Sequence, residues 1–187
     1  MLGQLPTRLK IRDTYFDIRT DYRNVLRVFE AFADKDLTDN EKLLICLKRM
    51  YIEFQRINPN DYKEAYEKVC WFIGCGKPEE KQPPVRSFNW IKDEPLVFPA
   101  VNKVAGVEVR SVPYVHWWTF MGYYASVGES VLSTVVGIRD KIVSNKKLEK
   151  WEKRFRDENP QYFKWQMRSA DQIADEEYVL SLWNSGK

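Results

Sequence analysis

The chain has 187 residues, about the length of one domain, and its 44% hydrophobic and 30% charged residues exclude a protein that is disordered throughout. Its 30 Lys and Arg against 27 Asp and Glu give a net charge of +3, which is too small a surplus to indicate a polyanionic partner. Aromatic residues reach 14%, and large rings dominate both protein cores and protein interfaces.

The chain also lacks the patterns of a secreted or membrane protein. Three cysteines, Cys46, Cys70 and Cys75, are too few for a disulfide framework, and their odd number favours a reducing compartment. No charged and apolar leader opens the sequence, and no stretch approaches the roughly 18 apolar residues of a membrane helix. We therefore expect a soluble protein in the cytoplasm, without a membrane partner.

The first predicted element is a short β-hairpin. Polar and apolar residues alternate over 8–12 and again over 16–19, as in strands with one buried face. Asp13 and Thr14 lie between them at the spacing of a tight turn. Because an isolated hairpin is only marginally stable, this one must pack on another part of the chain.

Helical patterns follow the hairpin. Apolar residues at three- and four-residue spacing predict a first helix that begins near Asp21. A capping box at 38–41 predicts the start of a second, long helix whose apolar face reaches Phe54. A third helix should begin at Asn58 and Pro59, with Asn as the cap and Pro in the first turn, and should end at the glycines that follow residue 73.

The middle of the chain contains a predicted loop and two more helices. Residues 77–92 are polar and rich in proline, which predicts an exposed loop. The next helix follows Asp93 and stops at Gly106. Pro113 predicts the start of a further helix, which should end near Gly128.

A short helix over 131–137 precedes the most basic part of the chain. Residues 139–168 hold ten Lys and Arg against five Asp and Glu. Leu148, Trp151 and Phe155 recur at i, i+3 and i+7, which predicts an amphipathic helix with a narrow apolar stripe.

These patterns predict a mainly α fold. We expect a single helical domain over residues 1–168, with about six to eight helices and a short N-terminal β-hairpin. A capping box at 169–172 opens a last predicted helix, so that residues 169–187 form a C-terminal helix or tail. The apolar residues of this last helix are Ile173, Val179, Leu180 and Trp183.

The residue types that carry catalysis or bind metals are scarce. His116 is the only histidine, and beside Trp117 and Trp118 on an apolar helix it is expected to pack in the core or at its edge. A zinc site would need this histidine and all three cysteines, for which buried positions are expected instead. Neither a phosphate-binding loop nor a paired-carboxylate signature occurs, so we expect no metal, no cofactor and no enzymatic activity.

The aromatic residues within 139–168 leave three interpretations open. They could stack on bases while the Lys and Arg side chains neutralise phosphates, as in a nucleic-acid-binding protein. They could instead face the protein's own core, with the charges in water. They could also form a protein–protein interface, in which Trp, Tyr and Arg are favoured.

Several strings, in the same order along the chain, resemble the bacteriophage gene-product-fifteen family. They cover about residues 5–160, and the His-Trp-Trp-x-Phe string at 116–120 is the closest match. The others are the opening hairpin with residues 18–23, the acidic helix start at 38–44, the aromatic–Cys–Gly–Lys string at 71–77 and the helix end within 93–107. The last part of the chain has no counterpart in this pattern.

The resemblance implies a role in building a phage tail. Members of this kind resemble tail-assembly chaperones, which hold the tape-measure protein soluble while tail-tube subunits polymerise around it. The implied partners are therefore the tape-measure protein and the major tail protein. The implied protein is non-catalytic, works in the host cytoplasm and is not part of the mature virion. Since coating a long client favours many copies, a homo-oligomer is also expected.

We expect the client to bind residues 144–168 and the C-terminal helix, while the helix over 116–124 is chiefly core. The residues predicted to make this contact are Trp151, Phe155, Tyr162, Phe163, Trp165 and Trp183. The alternative is a nucleic-acid-binding or regulatory phage protein that uses residues 139–168, but the small net charge gives nucleic acid less support as a partner.

Overall fold

The computed structural model describes residues 3–77 and 87–164. This part of the chain contains seven α-helices and one antiparallel hairpin, which confirms the predicted mainly α fold. The strands are β1 (Arg8–Ile11) and β2 (Thr14–Asp17). The helices are α1 (Tyr22–Ala33), α2 (Asp39–Met50), α3 (Tyr62–Ile73), α4 (Glu94–Ala105), α5 (Trp117–Ala125), α6 (Val131–Val143) and α7 (Lys150–Glu158). The helix predicted over 169–187 lies outside the described residues.

The described residues form two compact units. The first comprises residues 3–77 and 101–126 and contains the hairpin, α1 to α3 and α5. The second comprises residues 87–100 and 127–164 and contains α6 and α7. Helix α4 begins in the second unit and ends in the first. The single domain over residues 1–168 stays a prediction.

The hairpin turn lies one residue earlier than predicted. Thr14 belongs to β2 and pairs with Ile11, so the two loop residues are Arg12 and Asp13. Arg12 adopts a left-handed φ of 48°, as tight hairpin turns with a mirror-image backbone require. Its backbone N–H donates to Glu64 of α3 at 3.0 Å. This bond and the buried side chains on one face of the hairpin attach it to the first unit.

Helix α2 begins at the predicted capping box and ends before the predicted limit. Thr38 and Glu41 satisfy each other's backbone N–H groups. The helix ends at Met50 because Tyr51 turns to an extended conformation and forms an isolated bridge with Ile18. The prediction that the helical face continues to Phe54 is therefore wrong, and residues 54–56 form a separate turn of 3-10 helix.

Helix α5 begins later than predicted. The expectation that it starts near Pro113 is wrong, because residues before Trp117 bond to the segment that precedes α1. The backbone N–H of Val115 donates to the Asp21 carboxylate at 3.0 Å, and its carbonyl oxygen accepts from the N–H of Tyr22 at 3.0 Å. Backbone groups that bond to this distant segment are not available for a helix.

The second unit contains a longer α6 than predicted and a buried loop residue. Helix α6 continues through Gly137 to Val143, because the two residues after the glycine, Ile138 and Arg139, are buried and tied into this unit. The loop predicted over 77–92 is described at residue 77 and over 87–92 only, and Ser87 is buried rather than exposed.

Candidate interaction surfaces and the aromatic motif

The only histidine of the chain has a structural role at the start of α5. His116 is 4% exposed, which confirms the expected core position. Its Nδ1 accepts from the backbone N–H of Trp118 at 3.0 Å, so His116 is the N-cap of the helix. Since Nδ1 is an acceptor, the proton lies on Nε2, which donates to the carbonyl oxygen of Pro6 at 3.0 Å. Both ring nitrogens are therefore used within the fold.

The two tryptophans after His116 cap the end of another helix. The indole N–H of Trp117 donates to the carbonyl oxygen of Ile73, and that of Trp118 donates to the carbonyl oxygen of Phe72, both at 2.8 Å. These oxygens belong to the last turn of α3, where carbonyl groups have no partner within the helix. The string at 116–120 therefore caps the C-terminal end of α3 and the N-terminal end of α5.

The string at 71–77 meets the string at 116–120 in space. Gly76 has a φ of +75°, and a Cβ at this position would lie only 3.1 Å from the Trp118 ring. The ring of Trp71 contacts the ring of Trp118 with centroids 5.5 Å apart. The two strings that carry the family resemblance thus form one packing unit.

We expect His116→Ala to lower the free energy of unfolding by about 1–3 kcal/mol, because it removes the helix cap and leaves the Pro6 carbonyl without its donor. His116→Asn should restore part of the loss, since a short amide can accept from the Trp118 N–H. Urea denaturation followed by far-UV circular dichroism measures both effects. An Asn variant no more stable than the Ala variant would contradict the capping role.

Burial keeps the thiols of Cys46 and Cys75 in their protonated, unreactive form. Burial raises the pKa of the Cys46 thiol far above its usual range, and it raises the pKa of Cys75 as well. Both thiols are therefore protonated at neutral pH. Within residues 3–77 and 87–164, no group of His, Cys, Asp and Glu side chains is placed to hold a metal ion.

Helix α7 exposes the tryptophan that its sequence pattern predicts to be part of an apolar stripe. Leu148 is buried, but Trp151 is 59% exposed. Glu152 lies in the buried position instead, where it accepts from Lys141 of α6 at 2.6 Å and from the N–H of Glu149 at 2.8 Å. These hydrogen bonds lower the pKa of Glu152. The predicted stripe is therefore wrong at Trp151, and its indole faces away from the core of the second unit.

The other predicted contact residues have different environments. Phe155 and Phe163 are half-buried and meet edge to face, with centroids 6.4 Å apart. Tyr162 is half-buried, and its carbonyl oxygen accepts from Arg139. Trp165 and Trp183 lie outside the described residues.

The basic segment is less uniform than its composition indicates. Arg139 is buried in an ion pair with Asp93, and Lys141 is paired with Glu152. Two further arginines form exposed ion pairs with neighbouring carboxylates of α7. The exposed basic residues without an ion pair in the described part of this segment are all lysines: Lys146, Lys147, Lys150, Lys153 and Lys164.

The first unit has an apolar groove that the sequence patterns do not reveal. Exposed side chains of Leu5, Val107 and Tyr114 line it, together with half-buried Thr119 and Tyr123 of α5. Its volume is about 350 Å³. Most of its lining comes from loops, in which no helical or strand periodicity marks a shared face.

A polar cleft adjoins this groove, since Tyr114 lines both. The cleft has a volume of about 450 Å³, and its charged lining residues are Asp21, Arg23, Arg27 and Arg49. Arg23 is held by Asp21 at 2.9 Å and by carbonyl oxygens of the loop before α5. Arg27 and Arg49 are exposed, and neither forms an ion pair with a carboxylate of the described residues.

These features define a mainly helical protein whose aromatic motif closes helices and whose second unit exposes a tryptophan. The family model described as Bacteriophage Gp15 protein matches residues 1–163, and the chain belongs to this family. The match confirms the resemblance found in the sequence and shows that this is a bacteriophage protein. No match was found among curated proteins or among solved structures. In the part of the chain that the structure describes, every helix is too short or too polar to cross a membrane.

Proposed function

We propose that this protein is a non-catalytic tail-assembly chaperone that binds the tape-measure protein and keeps it soluble while the tail tube polymerises. Membership of a bacteriophage family supports a role in the phage. The proposed client is a long helical chain with apolar faces, which needs a cover until the tube encloses it. The chaperone works in the host cytoplasm and leaves before the virion is complete.

The observation that carries the proposal is the exposed indole of Trp151. Burying an exposed tryptophan against a partner is favourable, because its apolar surface leaves water. Tryptophan is also among the residues that contribute most to binding. Phe155 lies one helical turn after Trp151 in α7, and its half-buried ring packs on Phe163. Lys150 is an exposed neighbour of Trp151 in α7, and charged side chains of this kind form the polar rim of an interface.

A small contact of this kind suits a chaperone that must release its client. One tryptophan with a few neighbouring rings gives a weak individual contact, so that the growing tube can displace it. Many copies along one client raise the overall avidity without strengthening any single contact. The proposal therefore expects several copies of the protein on each tape-measure chain, and the major tail protein competing for the same client.

We expect Trp151→Ala to weaken binding of a helical tape-measure fragment about 30-fold or more, the effect of losing a central aromatic contact. The measurement is co-solubilisation of the co-expressed fragment, followed by titration of the purified pair. Phe155 is left unchanged because it packs on Phe163, so its truncation would also report on stability.

Tyr15→Ala is the matched control, because this ring of β2 is 60% exposed and belongs to the first unit. The control should solubilise the fragment as the wild type does. Equal losses in both variants, or no loss in Trp151→Ala, would contradict the proposal.

Nucleic-acid binding through the lysines of 146–164 is the rival outcome. Binding to DNA or RNA weakens steeply as salt rises, because each phosphate contact releases counterions. The chaperone contact, which depends on apolar area, should persist when salt is raised from 50 to about 200 mM, the range over which several phosphate contacts are lost. A complex with nucleic acid but not with the fragment would replace the proposed function.

A further inference from the structure

We propose that the apolar groove and the adjoining arginine cleft of the first unit bind the C-terminal segment, residues 169–187, of a second copy of this chain. Tyr114 lines both the groove and the cleft, which therefore lie next to each other and give this surface an apolar half and a positively charged half. A ligand for this surface must offer apolar side chains beside carboxylates. The proposal concerns contacts between copies and does not rest on the chaperone function.

The positive charge of the cleft favours a ligand with carboxylate groups. Three guanidinium groups against the carboxylate of Asp21 leave a formal surplus of two positive charges. Arg23 is already held by Asp21 and by backbone carbonyl oxygens, but Arg27 and Arg49 are exposed. Guanidinium groups form strong paired hydrogen bonds with carboxylates. An acidic ligand is therefore favoured at this half of the surface.

The C-terminal segment has the required chemistry. Residues 169–187 contain four acidic residues, Asp171, Asp175, Glu176 and Glu177, against the single basic residue Lys187. Ile173 lies within this acidic group in the sequence, and Val179, Leu180 and Trp183 follow it. The capping box at 169–172 predicts that they belong to one helix, an arrangement typical of segments that bind grooves.

The size of the groove is suited to this ligand. A volume of about 350 Å³ is in the range of pockets that hold small apolar groups, and a tryptophan is a favoured residue to fill one. The family match ends at residue 163, so the acidic segment lies beyond the part shared with the family model. We assign Trp183 or its neighbour Leu180 to the groove and the acidic group to Arg27 and Arg49.

A contact of this kind joins copies in a row. Each copy has one groove and one C-terminal segment, so each can bind two neighbours through different surfaces. Such heterologous contacts give rings when the rotation closes and open chains when it does not. The self-association of the protein is then concentration-dependent and contains more than dimers.

A charge exchange in the full-length chain tests the proposal by sedimentation equilibrium over a range of concentrations. Arg27→Glu with Arg49→Glu places carboxylates opposite the acidic segment, and we expect roughly tenfold or greater weakening of self-association. Asp175→Arg with Glu176→Arg should have the same effect from the other side. An equimolar mixture of the two variants should associate again, because each supplies the surface that the other one lacks.

Lys35→Glu with Lys147→Glu is the control, since it changes the net charge by the same amount at exposed positions that line neither the groove nor the cleft. It should associate as the wild type does. Val107→Asp, a change on an exposed side chain of the groove, tests the apolar half and should also weaken association.

Three results would overturn the proposal. One is a wild type that stays monomeric at every concentration, and another is a mixture of the two charge variants that does not associate. The third is an arginine variant that self-associates normally but no longer solubilises the tape-measure fragment, which assigns the surface to the client. The Trp151→Ala variant tests the proposed function alone: we expect it to lose client binding and to keep normal self-association.

Discussion

Arg139→Met should lower the free energy of unfolding by about 3–5 kcal/mol, the cost of leaving a buried charge without its partner. The Arg139 guanidinium donates to both carboxylate oxygens of Asp93, at 2.9 and 2.8 Å. Both side chains are almost completely buried. The same guanidinium also donates to the carbonyl oxygens of Ser87 and Tyr162. One side chain of α6 thus joins the start of α4, the loop before it and the segment after α7.

Chemical denaturation of the full-length single and double variants, arranged as a double-mutant cycle, measures the free energies of unfolding. Arg139→Met with Asp93→Leu should be more stable than Arg139→Met alone, because no unpaired charge stays in the interior. Arg154→Met is the matched control, since its ion pair with Glu158 is exposed and should contribute at most about 1 kcal/mol. An equal loss in Arg139→Met and Arg154→Met would contradict the importance assigned to the buried pair.

The sequence predicts helix starts well where a Ser, Thr, Asp or Asn side chain binds the backbone next to it, as at Asp21, Thr38 and Ser130. Asp21 caps α1 by accepting from the N–H of Arg23, and the box at 38–41 is formed as expected. At the start predicted for the third helix, Asn58 caps a single 3-10 turn over Pro59–Asp61 by accepting from the N–H of Asn60, and α3 itself begins at Tyr62. These interactions join residues two or three positions apart, so the residue types and their spacing contain the whole signal.

Helix limits that depend on distant backbone partners could not be predicted. Tyr51 leaves α2 because it bridges to Ile18, and Val115 stays outside α5 because it bonds to Asp21 and Tyr22. These hydrogen-bond partners lie far away in the sequence, so no local pattern of residues identifies them. Only the folded chain shows which backbone groups compete with the helix.

The candidate surfaces depend on the same kind of distant contact. The spacing of α7 predicts Trp151 on a buried stripe, yet Glu152 takes that position because Lys141 of α6 neutralises it there. Trp151 is exposed as a consequence. The groove of the first unit could not be predicted at all, because Leu5, Val107 and Tyr114 come together from separate loops.

Trp117→Ala should lower the free energy of unfolding by about 3–5 kcal/mol, the usual cost of removing a large buried ring. Trp117 is fully buried, and its ring stacks on Phe120 and meets Phe29 edge to face. Its indole N–H is the donor to the Ile73 carbonyl oxygen at the end of α3. Truncation therefore leaves a cavity between helices and removes the indole donor from the end of α3, where only the weak thiol donor of Cys75 stays at the Ile73 carbonyl.

Two comparisons separate these contributions in the same denaturation experiment. Trp117→Phe keeps most of the ring volume but removes the hydrogen bond to Ile73, so its loss of about 1–3 kcal/mol measures the helix cap. Trp151→Ala truncates the same residue type at an exposed position and should change stability by only about 0.5 kcal/mol. The contrast also bears on function, because Trp151 is available to a partner only if the fold does not need it. If Trp151→Ala were as destabilising as Trp117→Ala, Trp151 would be part of the core and the proposed client contact would lose its support.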